Sequence, residues 1–168
     1  VHGSAEARAR VGLISHHALV YGALTAAENV AFAARLYGVP DPDDAARRAL
    51  ERMRILDRAD TPVRRLSRGL QQRVSIARAM VHGPTVVLLD EPFTGLDEAG
   101  ARALTEALTT LKEAGAALVL VTHNLSEGLL LGTRVAVMRA GRFVRDEPRA
   151  AVDDAQFAAE YRALVAGD

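Results

Sequence analysis

Two hydrophobic periods divide the chain, and the change between them falls at Gly83-Pro84. Before it, residues 25–82 carry apolar side chains at helical spacing. Thr25 followed by Glu28 matches a capping box, which predicts a helix that starts directly after Thr25. Two further helices are predicted, over residues 41–56 and 67–81. Residues 25–82 are therefore predicted to be mostly helical.

Beyond Gly83-Pro84, short runs of β-branched residues and leucine alternate with helical patterns. The run TVVLLD at 85–90 predicts a strand covered on both faces in a parallel sheet. The elements predicted after it are a helix at about 98–113, a strand in AALVLVT, a short helix in NLSEGLLLG, two strands around the Ala140-Gly141 turn and an amphipathic terminal helix. A further short strand is predicted upstream, over residues 10–15. This alternation predicts an α/β core with right-handed crossovers.

Composition limits the classes of partner and chemistry. The 168 residues include 21 Lys and Arg and 21 Asp and Glu, so no net charge would draw the chain to nucleic acid or an anionic membrane. The absence of cysteine excludes disulfides, thiolate metal sites and a cysteine nucleophile. The longest charge-free stretch, residues 11–27, contains histidines and glycines and is a poor membrane span. The first residues have neither a methionine nor the order of a secretory signal, so we expect a chain cut from a longer protein.

The sharpest chemical feature is the pair Asp90 and Glu91, which ends the predicted strand. Sheets of this class bind ligands at the carboxyl ends of their strands. Burying adjacent carboxylates is costly unless a cation or hydrogen-bond donors compensate their charge, and Mg²⁺ on nucleotide phosphates would supply that cation. Since neighbouring strand residues point in opposite directions, one carboxylate could hold the metal shell while the other polarises water. On its own, the pair could also be the solvated acidic end of a strand.

Three other positions favour anion chemistry, and each has a structural alternative. Ser67 and Gly69 would open a helix whose amides and dipole suit an anion, although Ser67 could simply cap that helix. His123 follows a predicted strand, where imidazole could contact water or phosphate, or be a structural residue. His17, next to His16, lies in a loop that could face the same ligand or have no role in binding it.

In combination these segments resemble the ABC transporter ATPases. The segment LSRGLQQR (66–73) is similar to their signature motif, VVLLDEP (86–92) to Walker B, Gly95-Leu96-Asp97 to the D-loop, and His123 to the switch histidine. The order and the approximate spacing agree along essentially the whole chain. The resemblance implies a P-loop NTPase (RecA-like) α/β core with an inserted helical subdomain. Residues 1–24 would be the end of the first core part with the Q-loop region. Residues 25–82 would be the helical subdomain, which ends in the signature helix, and residues 83–168 would be the distal core with Walker B, the D-loop, the switch histidine and the C-terminal helix.

The resemblance also implies roles, cofactors and partners. Glu91 would be the general base, Asp90 the ligand in the Mg²⁺ shell, His123 the γ-phosphate sensor and Asp97 a cross-dimer contact, while Ser67 with Gly69 would clamp the nucleotide of the opposing subunit. ATP and Mg²⁺ are the implied cofactors. The implied partners are a second ATPase subunit and a transmembrane permease that docks a short helix against the Q-loop and helical lobe. No nucleic acid partner is expected, and the protein would be peripheral on the cytoplasmic side of the cell membrane.

Three departures from the family pattern stand out. Leu70 replaces the commoner signature glutamine, and His17 stands where the Q-loop glutamine is expected, so it is the candidate for contact with metal-bound water. The histidine pair before LTAAEN is also similar to haem exporters of cytochrome c maturation. A phosphate-binding Walker A loop, G-x-x-x-x-G-K-[ST], is absent, and Lys112, the only lysine, lies in a predicted helix. Residues 1–168 alone are therefore predicted to be inactive.

The predicted function is ATP hydrolysis that powers transport by ATP-driven dimerisation, with export favoured. Two alternatives remain open. A soluble ABC ATPase of translation or DNA repair would usually carry paired cassettes or long coiled-coil insertions, and this sequence has neither. A non-catalytic regulatory fragment that only dimerises would fit the absent Walker A loop.

Overall fold

The computed structural model describes residues 4–15 and 17–165, and the chain divides into two units, Val1–Val119 and Leu120–Asp168. In chain order the first unit contains α1 (Ala5–Ala9), β1 (Val11–Ile14), α2 (Ala26–Leu36), α3 (Pro42–Arg52), α4 (Arg68–Met80), β2 (Val86–Asp90) and α5 (Glu98–Glu113). β3 (Ala117–Val121) crosses the division. The second unit contains α6 (Leu125–Leu131), β4 (Arg134–Arg139), β5 (Arg142–Pro148) and α7 (Asp154–Val165). None of the helices in the described ranges is long and apolar enough to cross a membrane.

The helical part of the first unit begins where the sequence predicts. Thr25 caps α2 by accepting from the Glu28 amide at 3.1 Å, and the Glu28 carboxylate accepts from the Thr25 amide at 2.8 Å. This reciprocal pair confirms the capping box. α3 starts with Pro42 and two aspartates and ends with Arg52, the charge order that a helix dipole favours. The largest fully buried side chains of this part come from α2, α3, α4 and the short segments between them: Val30, Leu50, Met53, Ile55, Val63, Val74 and Ile76.

A three-stranded sheet with the order β1-β2-β3 accompanies these helices. β1 and β2 are parallel, with Val11 opposite Val86 and Ile14 opposite Leu89. The predicted α/β fold with parallel strands is therefore confirmed. A Cβ atom on Gly12 would lie 2.9 Å from the Ala79 carbonyl oxygen, so the lack of a side chain lets β1 approach the end of α4 closely.

The prediction that β2 is covered on both faces is wrong for the part of the chain described here. Val87 and Leu89 are buried, whereas Leu88 is 40% exposed and its register partner Leu13 is 49% exposed. The reason is that α4 packs on the face that contains Gly12 and Ile14, and no described element of the first unit covers the other face. The continuous apolar run indicates a strand, but it does not indicate which faces of that strand are covered by other elements.

The second unit has its own small core. β4 and β5 form an antiparallel hairpin, and its turn residues Ala140 and Gly141 have φ angles of +47° and +75°, as a two-residue type I′ turn requires. Val137, Val152 and Phe157 are buried together, and the Arg145 guanidinium lies 4.9 Å from the centre of the Phe157 ring. The two strands, their turn and both helices are where the sequence predicts them.

Candidate functional site

The carboxyl end of β2 carries the two acids that the sequence singles out. Asp90 is the last residue of the strand, and Glu91 follows it with a φ of +48°. Both residues are half-buried. A left-handed conformation in a residue that precedes a proline is unfavourable and costs on the order of 1–3 kcal/mol. Such strain persists where surrounding structure enforces it, and it is concentrated at functional sites.

A short loop, residues 92–97, connects this strained turn to α5. The Thr94 amide donates to the Glu91 carbonyl oxygen at 3.2 Å, and the Leu96 amide donates to that of Phe93 at 3.1 Å. Gly95 has a φ of +80°, which few other residues adopt. These bonds form a compact turn, so the position of Glu91 depends on the conformation of the whole loop.

The start of α4 packs directly against this loop. The Ser67 hydroxyl accepts from the Leu70 amide at 3.4 Å. Ser67 therefore caps the helix, which is the structural role that the sequence analysis gave as the alternative to anion binding. A Cβ atom on Gly69 would lie only 2.8 Å from the Gly95 carbonyl oxygen. Gly69 is therefore needed for contact between the helix start and the loop within one chain. Whether Ser67 and Gly69 also bind the nucleotide of another subunit stays a prediction.

Asp97 ends the loop and caps α5 by accepting from the Gly100 amide at 2.9 Å. The same oxygen, Oδ1, accepts from Arg73, a residue of α4 that is only 5% exposed. The Gly100 amide first, and the Arg73 guanidinium second, hold the pKa of Asp97 below its ordinary value. The family resemblance assigns Asp97 to a contact between subunits, which stays a prediction, and the sequence analysis did not identify Arg73.

The loop that carries His17 is bound by buried polar side chains. From α4, the Gln72 amide group donates to the Ser15 carbonyl oxygen at 2.9 Å, and the Ser75 hydroxyl accepts from the Leu19 amide at 3.3 Å. From α2, the fully buried Asn29 accepts from the Tyr21 amide at 2.7 Å and donates to three carbonyl oxygens of residues 21–25. Ser15 and residues 17–25 are thus held by hydrogen bonds from both helices.

A cavity of about 320 Å³ joins these segments, and its lining comes from the His17 loop, the start of α4 and the loop after β2: His17, Ala18, Arg68, Gln71, Gln72 and Thr94. Of the predicted site residues, only His17 lines it. The neighbouring His16 lies outside the described residues. The lining combines one guanidinium with amide and hydroxyl groups, so it suits water or phosphate oxygens.

The carboxylates at the end of β2 could bind Mg²⁺ only together with ligands from outside the described residues. Across residues 4–15 and 17–165, no group of three or more His, Asp or Glu side chains is arranged to hold a metal ion. Mg²⁺ commonly takes one or two carboxylates and completes its shell with water and substrate phosphates. Asp90 would provide one such carboxylate, so the residues present suit a magnesium ion that arrives with a nucleotide.

His123 belongs to the second unit and is described there. It is exposed and lies two residues beyond β3, as the sequence predicts. The neighbouring Thr122 hydroxyl accepts from the Asn124 amide at 3.0 Å, and Asn124 caps α6. The backbone on both sides of His123 is therefore ordered by local hydrogen bonds, while its role as a phosphate sensor stays a prediction.

An exposed apolar patch lies beside the His17 loop, and the sequence analysis did not single it out. We define the outer patch as the contacting rings Tyr21 and Phe32 together with their sequence neighbours Leu19 and Leu36. In chain order, Leu19, Tyr21, Phe32 and Leu36 are 46%, 56%, 37% and 69% exposed. Tyr21 and Phe32 meet edge to face with their ring centres 5.7 Å apart. Phe32 and Leu36 are one turn apart on α2, so a ligand or partner could contact the loop and the helix together.

Comparison with known proteins places these features in a family context. The family model described as ABC transporter matches residues 2–94. The spermidine/putrescine import ATP-binding protein PotA of Thermobifida fusca is 40% identical over 138 residues, which are 80% of this chain and 36% of that protein. The Nod factor export ATP-binding protein I of Cupriavidus metallidurans is 33% identical over 151 residues, or 88% of this chain and 50% of that protein.

A solved structure gives the same result at the level of the fold. The ATP-binding cassette MJ0796, in a dimeric post-hydrolysis state bound to ADP and Pi, matches with a TM-score of 0.76 and 26% identity. The match covers 88% of this chain and 68% of that one. The chain spans only about half, or less, of the length of the curated relatives named above.

Proposed function

Since this chain belongs to the ABC transporter family of ATP-binding proteins, we propose that it powers transport across the cytoplasmic membrane by ATP-driven dimerisation with a second ATPase subunit. The observation that carries the proposal is the carboxyl end of β2. There the half-buried Asp90 and Glu91 follow a parallel strand, and Glu91 is held in a strained conformation by a loop that contacts the start of α4. Sheets of this class bind ligands at the carboxyl ends of their strands, and phosphoryl transfer uses carboxylates to hold the metal and orient the nucleophile, so this arrangement supports ATP hydrolysis.

Within this site the two acids would divide the work. Asp90 would hold the magnesium shell, and when bound the ion would neutralise charge on the phosphates. Glu91 would accept a proton from the attacking water and orient it. The amides at the start of α4, near Ser67 and Gly69, would stabilise the phosphates of a nucleotide held by the opposing subunit. His123 would donate a hydrogen bond to the γ-phosphate, and His17 would contact water beside it.

The outer patch supports a membrane partner. It places aromatic and aliphatic side chains next to the His17 loop, which α4 and α2 hold through Gln72 and Asn29. An amphipathic helix presented by a transmembrane permease could bury this surface. We propose export as the direction, and the haem-exporter resemblance remains a prediction based on the histidine pair. The curated relatives include proteins named for import and for export.

The experiment that tests catalysis uses the complete subunit, expressed from its gene with any sequence that flanks residues 1–168. Glu91→Gln should leave ATP binding intact and lower hydrolysis by about two or more orders of magnitude, because the proton acceptor is lost. Glu98→Gln is the matched control, since Glu98 is an exposed acid that pairs with Arg102 on the first turn of α5. Turnover in Glu91→Gln within a factor of a few of wild type would contradict the assignment.

The alternative of a non-catalytic fragment that only dimerises is tested by the nucleotide affinity of residues 1–168, whose sequence contains no phosphate-binding loop. We expect this polypeptide to bind Mg-ATP weakly or not at all, because its candidate site offers acids but no lysine and amide cradle for the phosphates. Titration calorimetry on a monodisperse preparation measures this directly. A micromolar dissociation constant would show that capture does not need the loop.

A further inference from the structure

Helix α4 carries a buried cation whose position the proposed chemistry does not yet explain. Arg73 is 5% exposed, and a buried ion is costly unless charged or polar partners compensate it. One guanidinium nitrogen, Nη1, donates to the Met53 carbonyl oxygen at 3.4 Å, and the other, Nη2, donates to Asp97. The buried Nε finds no acceptor among the described residues. The guanidinium is therefore held chiefly by the Asp97 carboxylate.

Asp97 does not need this arginine to cap α5. An N-cap requires one oxygen that accepts from the backbone, and the Gly100 amide already supplies the donor. Asp97 is also 70% exposed, so water could solvate its charge. Both contacts converge on Oδ1, so Oδ2 takes no part in the bonds to Arg73 and Gly100. The result is a carboxylate with one oxygen fixed and the other presented outward.

The lack of a side chain at Gly100 allows the Arg73 guanidinium to reach Asp97. A Cβ atom there would lie 2.6 Å from Arg73 Nε and 3.2 Å from its Cζ atom. Gly100 is buried in the first turn of a 16-residue helix, where alanine would ordinarily be the better residue. The absent side chain leaves the space that the guanidinium passes through.

We propose that Arg73 is a positioning residue for hydrolysis, with Gly100 as the residue that gives it room. It pins Oδ1 of Asp97 against α4, fixes the loop 92–97 that begins at the strained Glu91 turn, and presents Oδ2 to a hydrogen-bond donor of the second ATPase subunit. Lysine cannot replace it, because one ammonium cannot reach the Met53 carbonyl and Asp97 with a fixed fork. This inference rests on the proposed ATPase function.

The decisive variant is Gly100→Ala in the complete subunit. The new Cβ would force the buried Arg73 guanidinium to move, so some loss of melting temperature is expected on either reading. A purely structural role predicts unchanged kcat and KM at temperatures where the variant is folded. A positioning role predicts that kcat falls by about tenfold or more while KM stays within about twofold, since misplacing a group by about 1 Å is costly. Gly128→Ala is the matched control: it lies inside α6, and its new Cβ would make only an ordinary 3.5 Å contact with Thr122.

A second variant tests the orientation of Asp97. Asp97→Asn keeps an oxygen for the cap but removes the charge opposite the buried Arg73 and replaces Oδ2 with a donor. We therefore expect a lower melting temperature and, at temperatures where the variant is folded, weaker ATP-driven dimerisation in the Glu91→Gln background. Arg73→Lys should lower kcat in the same sense as Gly100→Ala. Unchanged kcat in Gly100→Ala, or unchanged dimerisation in Asp97→Asn, overturns the proposal. If the wild type hydrolyses ATP and Glu91→Gln does not, the proposed function is supported even when the Gly100→Ala or Asp97→Asn result overturns the role of Arg73.

Discussion

Asn29 should be the side chain on which the order of the His17 loop most depends. It is completely buried, and its Oδ1 atom accepts from the Tyr21 amide at 2.7 Å. Its Nδ2 group donates to the carbonyl oxygens of Tyr21, Leu24 and Thr25. Replacement by leucine keeps a side chain of similar size and removes all four bonds. Tyr21, which belongs to the outer patch, would then lose its hydrogen bonds to α2.

The size of the effect follows from which groups keep a partner. The three carbonyl oxygens also accept from the backbone amides of Leu24, Val63 and Asn29, so none is orphaned. The Tyr21 amide has no second acceptor among the described residues, and an orphaned amide costs about 1–3 kcal/mol. Tyr21 is more than half exposed, so water can offset part of this cost. With the net value of the other bonds, Asn29→Leu should lower the free energy of unfolding by about 2–4 kcal/mol.

Urea titration of the complete subunit measures this loss, and hydrogen exchange over residues 15–25 reports where it acts. Asn29→Asp keeps an acceptor for the Tyr21 amide but turns a carboxylate toward three carbonyl oxygens, so it should be at least as destabilising. Asn124→Leu is the comparison, because Asn124 is an exposed cap of the short helix α6 and should cost about 1 kcal/mol. A loss below about 1 kcal/mol for Asn29→Leu, or a stable Asn29→Asp, would refute this reasoning.

Three further predictions concern the start of α4 and its loop. Ser67→Arg should block ATP-driven dimerisation of a hydrolysis-deficient subunit while monomer nucleotide binding persists, measured by light scattering; an unaffected dimer would contradict the signature assignment. Gly69→Ala should lower turnover about tenfold or more, because its Cβ would meet the Gly95 oxygen at 2.8 Å, and unchanged turnover would contradict that contact. The pKa of Asp97 is lowered on folding, so its stabilisation exists above the unfolded-state pKa and is lost as acid approaches the folded-state pKa. The stability gap between wild type and Asp97→Asn should therefore be flat near neutrality and close in acid, and a gap insensitive to acid would argue against the pairing.

Local sequence signals predicted the elements well because each has a short-range cause. The reciprocal Thr25 and Glu28 bonds start α2, and the leucines of residues 98–113 follow one face of α5. Ala140 and Gly141 both adopt the left-handed φ angles that a tight hairpin turn needs. Each of these features is decided within a few residues, so the pattern alone was sufficient.

The contacts that build the candidate site were harder to predict because they join distant segments. Arg73 and Asp97 are 24 positions apart and Gln72 and Ser15 are 57 apart, and no spacing rule connects them. An arginine or glutamine on a helix is ordinarily exposed, so nothing marked these two as buried. The one usable signal was Gly100 in the first turn of a helix, which indicates a close approach by another group. The left-handed Glu91 carried no sequence signal at all.

The parallel pairing of β1 with β2 has a kinetic consequence for the chain. The two strands are joined only through α2, α3 and α4, so their first contact must close a loop that contains the whole helical segment. Loop closure of this length has an entropic cost before any strand bond repays it, whereas helical turns form from local contacts. Collapse of the helical segment brings Val11 and Val86 closer together in advance. Amides of α2 and α4 should therefore gain exchange protection earlier in refolding than those of β1 and β2, and chains interrupted at that stage would expose unpaired strands.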